Sequence, residues 1–241
     1  MRRTILIAFI LLLSSALYAQ DLQKACDKFN DFNATVLKGN VKGEVAVKQF
    51  DTLIEAIVHF GIIRNQIDPE KQNWIFPLQG CNYQAIGGTK GNGYFDKGYH
   101  YLDGNKHAAH PAHDIFIRDK NQDGIDDKTN RPVDVLAVAD GIVIACTNEW
   151  EPESNLRGGK FIWIYHPQSK IFTYYAHNRA IFVKSGDMVI QGKKVAEVGR
   201  TGLNAYPKRS PTHLHFSAFH LINGLPVPFN PYLQLTKAEI K

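Results

Sequence analysis

The sequence lacks the runs of lysine and arginine that mark a nucleic-acid-binding surface. Its 28 basic residues are scattered and give a net charge of only +5, so we expect no nucleic-acid partner. After the first twenty residues there is also no apolar stretch long enough to cross a bilayer. The chain contains neither an internal repeat nor a low-complexity linker. These absences argue against a nucleic-acid-binding protein, a membrane-spanning mature protein and a repeat protein.

Cysteine is scarce as well, and the three cysteines make an odd count. Two interpretations stay open at this point. In an oxidising compartment Cys81 and Cys146 are the best candidates for one disulfide, because both lie in the larger part of the chain. Alternatively Cys26, Cys81 and Cys146 are three separate buried thiols.

The start of the chain has the pattern of a secretory signal. Arg2 and Arg3 precede an unbroken apolar run over residues 5–13, and small residues lead to a predicted cleavage after Ala19. We therefore assign residues 1–19 to a signal peptide. The mature protein is expected to be periplasmic or secreted, without a transmembrane segment.

The rest of the chain divides into two parts of different periodicity. Between residues 22 and 58 apolar residues recur at three- and four-residue spacing, which predicts two helices. We assign residues 20–72 to a small helical pre-domain that packs on, positions or shields the remainder. Residues 73–241 are predicted to form one mainly β domain, because short β-rich segments alternate with turns. The predicted strands cover residues 114–118, 135–138, 141–145, 161–165, 172–176, 195–198 and 213–218.

Two short motifs in the β part carry metal-ligand residue types. The first, His-Pro-Ala-His-Asp, contains His110 and Asp114, and the second, Thr-His-Leu-His-Phe, contains His213 and His215. In an extended strand, side chains two or four positions apart share a face. Imidazole and carboxylate are ligands of zinc, and a catalytic zinc site uses three of them. Two such strands side by side would offer three ligands and one spare imidazole to a single cation.

A further histidine, His177, directly follows the predicted strand 172–176. An imidazolium at that place would stabilise an oxyanion, although a surface turn also suits the pattern.

A second candidate metal site follows the first motif. Residues 119–127 have the spacing of oxygen ligands in calcium loops, with glycine at the sharp turn. The candidate calcium ligands are Asp119, Asn121, Asp123 and Asp127. Position twelve is Asn130 instead of glutamate, so a solvated acidic turn is the alternative.

From Trp74 to Leu235 the chain resembles the lysostaphin/LytM-type zinc metallopeptidases, which are peptidoglycan endopeptidases. The resemblance rests on ordered motifs: Phe-Pro-Leu at 76–78, the motif containing His110 and Asp114, Ala-Asp-Gly-Ile-Val at 139–143, Tyr-Tyr-Ala-His-Asn at 174–178, the segments 183–192 and 199–202, and His-Leu-His at 213–215. It implies a compact antiparallel β-sheet domain of the lysostaphin-like, duplicated hybrid motif type, with the helical segment appended at its N-terminal side.

The resemblance also implies roles for five residues. His110, Asp114 and His215 would bind Zn²⁺, His213 would act on the zinc-bound water, and His177 would support the transition state. The implied activity is hydrolysis of peptide bonds in peptidoglycan cross-links, with stem or cross-bridge peptides as partners. His113 would face away from the site in a strand and is left out of the ligand set.

The alternative function is a non-catalytic cell-wall-binding or amidase-regulating module on the same fold. Such modules typically lose metal ligands, whereas all five site positions are filled in this sequence. We therefore expect an enzyme.

Overall fold

The computed structural model describes residues 2–64, 73–106, 108–206 and 210–241. Two long helices, α1 (Arg2–Leu37) and α2 (Gly43–Arg64), come first. The predicted signal peptide forms the beginning of α1 and stays a prediction. The predicted boundary after residue 72 adjoins residues 65–72, which lie outside the described residues. Within the described residues, no helix combines the length and apolar character needed to cross a membrane.

The two helices pack through one apolar stripe on each. Because side chains three or four positions apart share a helix face, the periodic residues predicted from sequence become a buried interface. Phe29 of α1 meets Phe50 of α2 edge to face, with ring centroids 5.4 Å apart. The buried residues of these stripes are Leu22, Cys26, Phe29, Phe32, Val36, Ala46, Phe50, Ile54 and Ile57.

Nine strands form one antiparallel sheet in the described part of the chain. They are β1 (His113–Phe116), β2 (Asp134–Leu136), β3 (Gly141–Thr147), β4 (Lys160–His166), β5 (Ile171–Ile181), β6 (Met188–Val189), β7 (Lys194–Val198), β8 (His213–Ile222) and β9 (Leu225–Phe229). The main path is β1-β8-β5-β4-β3-β6, with β7 joining β2 to β5 and β9 lying beside β8. All seven predicted strands are present, whereas β6, β9 and a last helix, α3 (Tyr232–Lys237), were not predicted.

The sheet has an apolar core on each face. Strand β4 shows the alternation: Ile162 and Ile164 enter one core, while Phe161, Trp163 and Tyr165 enter the other. The second core also contains the buried stripes of α1 and α2. The helices therefore cover one face of the sheet, and we call this the helical face.

Polar contacts also fix α1 to the sheet. The Asn30 Oδ1 accepts the backbone N–H of Cys146 on β3 at 3.0 Å. The Gln23 side-chain amide donates to the Ser185 carbonyl at 2.7 Å, and the Ser185 hydroxyl donates to Asp27 at 2.5 Å. The predicted pre-domain thus packs directly on the β part.

The three cysteines are free, so the suggested Cys81–Cys146 disulfide is not formed. Cys146 lies on β3, where its thiol donates to the Val183 carbonyl at 3.7 Å. Burial raises the pKa of Cys81 and of Cys146, and it raises that of Cys26 in the helix interface to about 12. These groups stay protonated thiols at neutral pH. The alternative of three separate thiols agrees with this arrangement, but only Cys26 is buried, whereas Cys81 and Cys146 are partly exposed.

Candidate metal centre

The pairing of β1 with β8 brings the two motifs together. In this antiparallel register Asp114 lies opposite His215, and His113 lies opposite Phe216. Leu214 is fully buried in the core beneath the sheet. Because alternate strand residues point to opposite faces, His213 and His215 lie on the helical face, as the spacing predicted.

His110 reaches the same place from a turn, which corrects the expectation that the whole first motif is a strand. Strand β1 begins only at His113. Before it, the backbone N–H of Ala112 donates to the His110 carbonyl at 2.8 Å, while His110 forms an isolated antiparallel bridge with Phe95. Pro111 helps to impose this turn because its ring restricts the backbone.

Asp114 is the centre of the cluster. Its Oδ1 accepts hydrogen bonds from His110 Nε2 at 3.2 Å and from His215 Nδ1 at 3.1 Å. The Nε2 of His213 lies 3.6 Å from the same oxygen. One ligand atom from each of His110, Asp114 and His215 lies within 4.8 Å of the others, and among the described residues this is the group that fits a metal ion.

Backbone carbonyls orient three of the site histidines. His110 Nδ1 donates to Gly93 O at 3.0 Å, His213 Nδ1 to Pro211 O at 2.7 Å, and His177 Nδ1 to Thr201 O at 2.8 Å. A carbonyl only accepts, so each Nδ1 carries the proton. The Nε2 atom of each ring therefore faces the cluster, where that of His110 is hydrogen-bonded to Asp114. A metal-binding or catalytic histidine usually has its second ring nitrogen held by the protein in this way.

His177 lies within β5, not after its end as the sequence predicted. Strand β5 continues to Ile181, and its pairing with β7 shifts register between Asn178 and Ala180. His177 has a φ of 67°, a left-handed conformation that is costly for a residue other than glycine. This irregular backbone brings its ring centroid to 4.9 Å from that of His213 and 5.5 Å from that of His215.

The electrostatics of the cluster follow from burial and the shared carboxylate. Burial alone would raise the pKa of Asp114, but hydrogen bonds from His110 and His215 hold it well below its usual range. Burial opposes protonation of His110, yet the bond to Asp114 outweighs it and raises the His110 pKa. Burial lowers the pKa of His215 and, with the neighbouring histidines, that of His177. His177 is therefore neutral before any reaction.

His113 lies on the other side of β1 from the cluster. Its side chain is buried, and its Nε2 is 2.8 Å from Asn230 Oδ1. The residue belongs to the packing between β1 and α3, where its ring also approaches Tyr232.

The acidic loop 119–127 uses its oxygens on its own backbone. Asp119 is buried and accepts the N–H groups of Asp123 at 3.1 Å and Gly124 at 2.8 Å, as well as the Thr212 hydroxyl at 2.6 Å. Asp123 accepts from Ile125, and Asp127 accepts from Lys120. The geometry of the described residues therefore gives the predicted calcium site no support, and it agrees with the alternative of an acidic turn.

A family comparison agrees with this arrangement. The model of peptidase family M23 matches residues 120–229. The β part of the chain is therefore similar to peptidase family M23. The matched segment contains His177, His213 and His215, while His110 and Asp114 lie just before it. The predicted family resemblance and the predicted mainly β, antiparallel fold are both confirmed.

Several solved structures are similar to this chain. A zinc-containing peptidase from Vibrio cholerae is 22% identical, with 70% of this chain and 41% of that chain covered and a TM-score of 0.38. The catalytic domain of lysostaphin from Staphylococcus simulans is 23% identical, with 60% and 93% covered and a TM-score of 0.39. A provisionally assigned glycyl-glycine endopeptidase LytM from Ruminococcus gnavus ATCC 29149 is 21% identical, with 93% and 88% covered and a TM-score of 0.45.

This chain thus spans 41% of the length of the Vibrio cholerae peptidase. No curated protein matches the sequence significantly.

Other parts of the candidate site were not predicted as site residues. A cavity of about 310 Å³ adjoins the cluster and is lined in part by Trp163, Tyr174 and Phe219. Its other wall comes from α1, including Asn33. In the sequence the aromatic residues look like ordinary core residues, because they alternate along strands. Nothing in the sequence of the helical segment indicates that it contributes to a site.

Proposed function

We propose that this protein is an exported, zinc-dependent endopeptidase that hydrolyses peptide bonds in peptidoglycan cross-links. The single observation that carries the proposal is the convergence of His110, Asp114 and His215 beside two further histidines in one cavity. Similarity to peptidase family M23 supports peptide hydrolysis. The signal-like N-terminal sequence supports export.

The donor set fits zinc. Two imidazole nitrogens and one carboxylate oxygen are the ligands of many catalytic zinc sites, which keep the fourth position open. The Nδ1–H bond from His110 to Gly93 fixes its Nε2 toward the cluster. When bound, zinc would polarise the substrate carbonyl and lower the pKa of a bound water to about 7. Its binding would displace the protons now shared with Asp114.

His213 is proposed to take the proton of the attacking water. Its Nδ1 donates to the Pro211 carbonyl at 2.7 Å, so Nε2 is the nitrogen that faces the cluster and would take the proton. The side chain is buried, with 5% of its surface exposed, which excludes competing solvent. After accepting the proton, the same nitrogen is able to donate it to the leaving amine.

His177 is proposed to support the transition state, and its ring centroid lies 4.9 Å from that of His213. Its Nδ1 donates to Thr201, and burial keeps the ring neutral. The Nε2 therefore begins as an acceptor and becomes a donor to a developing oxyanion only after it gains a proton. His213 would pass the proton of the attacking water to His177 in the tetrahedral intermediate and recover it when the intermediate breaks down, so one proton serves first the oxyanion and then the leaving amine.

Two substitutions test the proposal. His215→Ala removes a ligand, so we expect loss of zinc and of cleavage. His213→Ala removes a proton acceptor and leaves the ligands intact, so zinc is retained while cleavage falls by at least about a hundredfold. Zinc is measured by plasma mass spectrometry, and cleavage by mass spectrometry of muropeptides released from purified sacculi.

The wild-type protein is the control in both assays. Retained hydrolysis in His215→Ala would overturn the assignment of the metal centre. Stoichiometric zinc without any released muropeptides from wild type would overturn the activity and leave a binding or regulatory module.

A further inference from the structure

The cavity beside the metal centre is bounded by both parts of the molecule. Its lining includes His110, Asp114 and His215 from the metal centre, and also Asn33 and Val36 of α1. Its aromatic residues contact one another: Trp163 lies 4.8 Å from Phe219 and 5.0 Å from Tyr174, measured between ring centroids. The helical segment thus contributes to the space into which a substrate would extend.

Asn33 is the unusual polar residue in this wall. Only 1% of its surface is exposed. Its Oδ1 accepts the hydroxyl of Tyr101 at 2.8 Å, whereas its Nδ2 has no hydrogen-bond partner among the described residues. A buried N–H group without an acceptor is unfavourable, because it has lost its hydrogen bond to water. A substrate oxygen that enters the cavity would remove this cost.

The orientation of the Asn33 amide follows from Tyr101. The Tyr101 hydroxyl is buried and its pKa is raised well above the usual value by burial, so it keeps its proton. That proton needs an acceptor, and Asn33 Oδ1 is in place to provide it. The donor end of the amide is therefore the end left for a ligand.

The charged lining of the cavity favours an anionic ligand. Among the described residues that line it, Asp114 is the only acidic one, and its Oδ1 is already engaged by His110 and His215. Arg157 supplies a permanent positive charge at the same cavity, with its Nη1 donating to Asn105 O at 3.3 Å. A guanidinium and an amide N–H₂ together suit a carboxylate.

We propose that this cavity is a carboxylate-binding subsite, in which Asn33 and Arg157 hold an acidic residue of the peptide substrate beside the metal centre. That the ligand is a peptide rests on the proposed function, whereas the preference for a carboxylate rests on the cavity itself. Asn33 is then a specificity-determining residue. The helical segment forms part of the substrate site and does more than pack on the sheet.

The test compares two forms of one cross-linked stem peptide, one with free side-chain carboxylates and one with those groups amidated. With the zinc-loaded mature protein we expect KM to be about tenfold lower for the free acid, since hydrogen bonds to charged groups have this strength. Asn33→Asp replaces the donor by a negative charge and keeps the acceptor for Tyr101. It should abolish the preference, with zinc content unchanged.

Asn30→Asp is the matched control, because it makes the same change on α1. Asn30 contacts Cys146 and does not line the cavity, so its variant should keep the preference. If Asn33→Asp does not fold, Arg157→Gln tests the second partner and should weaken the preference. A folded Asn33→Asp or Arg157→Gln protein with the full preference for the free acid would overturn the proposal, as would a wild type without it.

If the protein is not a peptidase, the subsite is tested by peptide binding instead of by cleavage. If wild type cleaves neither peptide, calorimetric binding of the same two peptides still reports on the cavity. Tighter binding of the free acid, lost in Asn33→Asp, supports the subsite. Equal binding of both peptides, or binding of neither, contradicts it.

Discussion

The histidine cluster and the acidic loop 119–127 both have the residue spacing of a metal site, yet the fold treats them differently. In the cluster, backbone carbonyls take the Nδ1 protons of His110 and His213, which leaves their Nε2 atoms facing the cavity. In the loop, backbone N–H groups bind the carboxylate oxygens of Asp119 and Asp123. In the cluster the ligand atoms contact one another, whereas in the loop they bind the backbone of the loop itself.

The difference shows what a spacing motif leaves out. A ligand motif places residue types along the chain, but the local backbone decides which atoms remain available. The loop also has a structural role, because Asp119 accepts the hydroxyl of Thr212, the residue before His213. The acidic turn therefore supports the start of β8, where the site histidines begin.

The largest difference between the two regions is expected when one aspartate in each of them is replaced by asparagine. Asp114→Asn weakens the ligand set, so we expect at least about a hundredfold loss of zinc affinity, comparable to losses at supporting residues of metal sites. Asp119→Asn places an N–H₂ group against the Gly124 N–H and the Thr212 hydroxyl. It should retain zinc but lower the free energy of unfolding by about 1–3 kcal/mol.

Zinc titration and urea denaturation of the two proteins measure these outcomes. Loss of zinc from Asp119→Asn without loss of stability would show that the loop takes part in metal binding and not in folding. A calcium-dependent rise in the stability of wild type that Asp119→Asn removes would do the same.

A smaller effect is expected from Asp123→Ala. The Asp123 side chain is exposed and its Oδ1 accepts the Ile125 N–H at 2.8 Å. An exposed turn bond of this kind contributes roughly 0.5 kcal/mol. The midpoint of urea denaturation should therefore shift slightly, with zinc content and sacculus cleavage unchanged. A loss as large as that of Asp119→Asn would show that the loop depends on an ion and not on its buried carboxylate.

The strand part of the site was predictable because it depends on alternation. The spacing of His213 and His215 and the intervening apolar Leu214 define which face each residue takes, and the β1–β8 register then sets Asp114 opposite His215. The same alternation separates His113 from the cluster. The face that each residue takes is a local feature, so the sequence carries it.

The irregular parts were not predictable in the same way. His110 enters from a turn stabilised by a bridge to Phe95, and His177 depends on a left-handed residue inside β5. Both depend on distant backbone contacts. Strand β6 has only two residues, too few for a periodic pattern. Asn33 was missed because its helical position resembles those of its packed neighbours.

X-ray absorption at the zinc edge of the purified mature protein tests the central claim most directly. We expect one zinc per chain, coordinated by two imidazole nitrogens and two or more oxygens at about 2.0–2.2 Å, and loss of that signal in His215→Ala. Sulfur scattering near about 2.3 Å, or an unchanged zinc spectrum in His215→Ala, would contradict it.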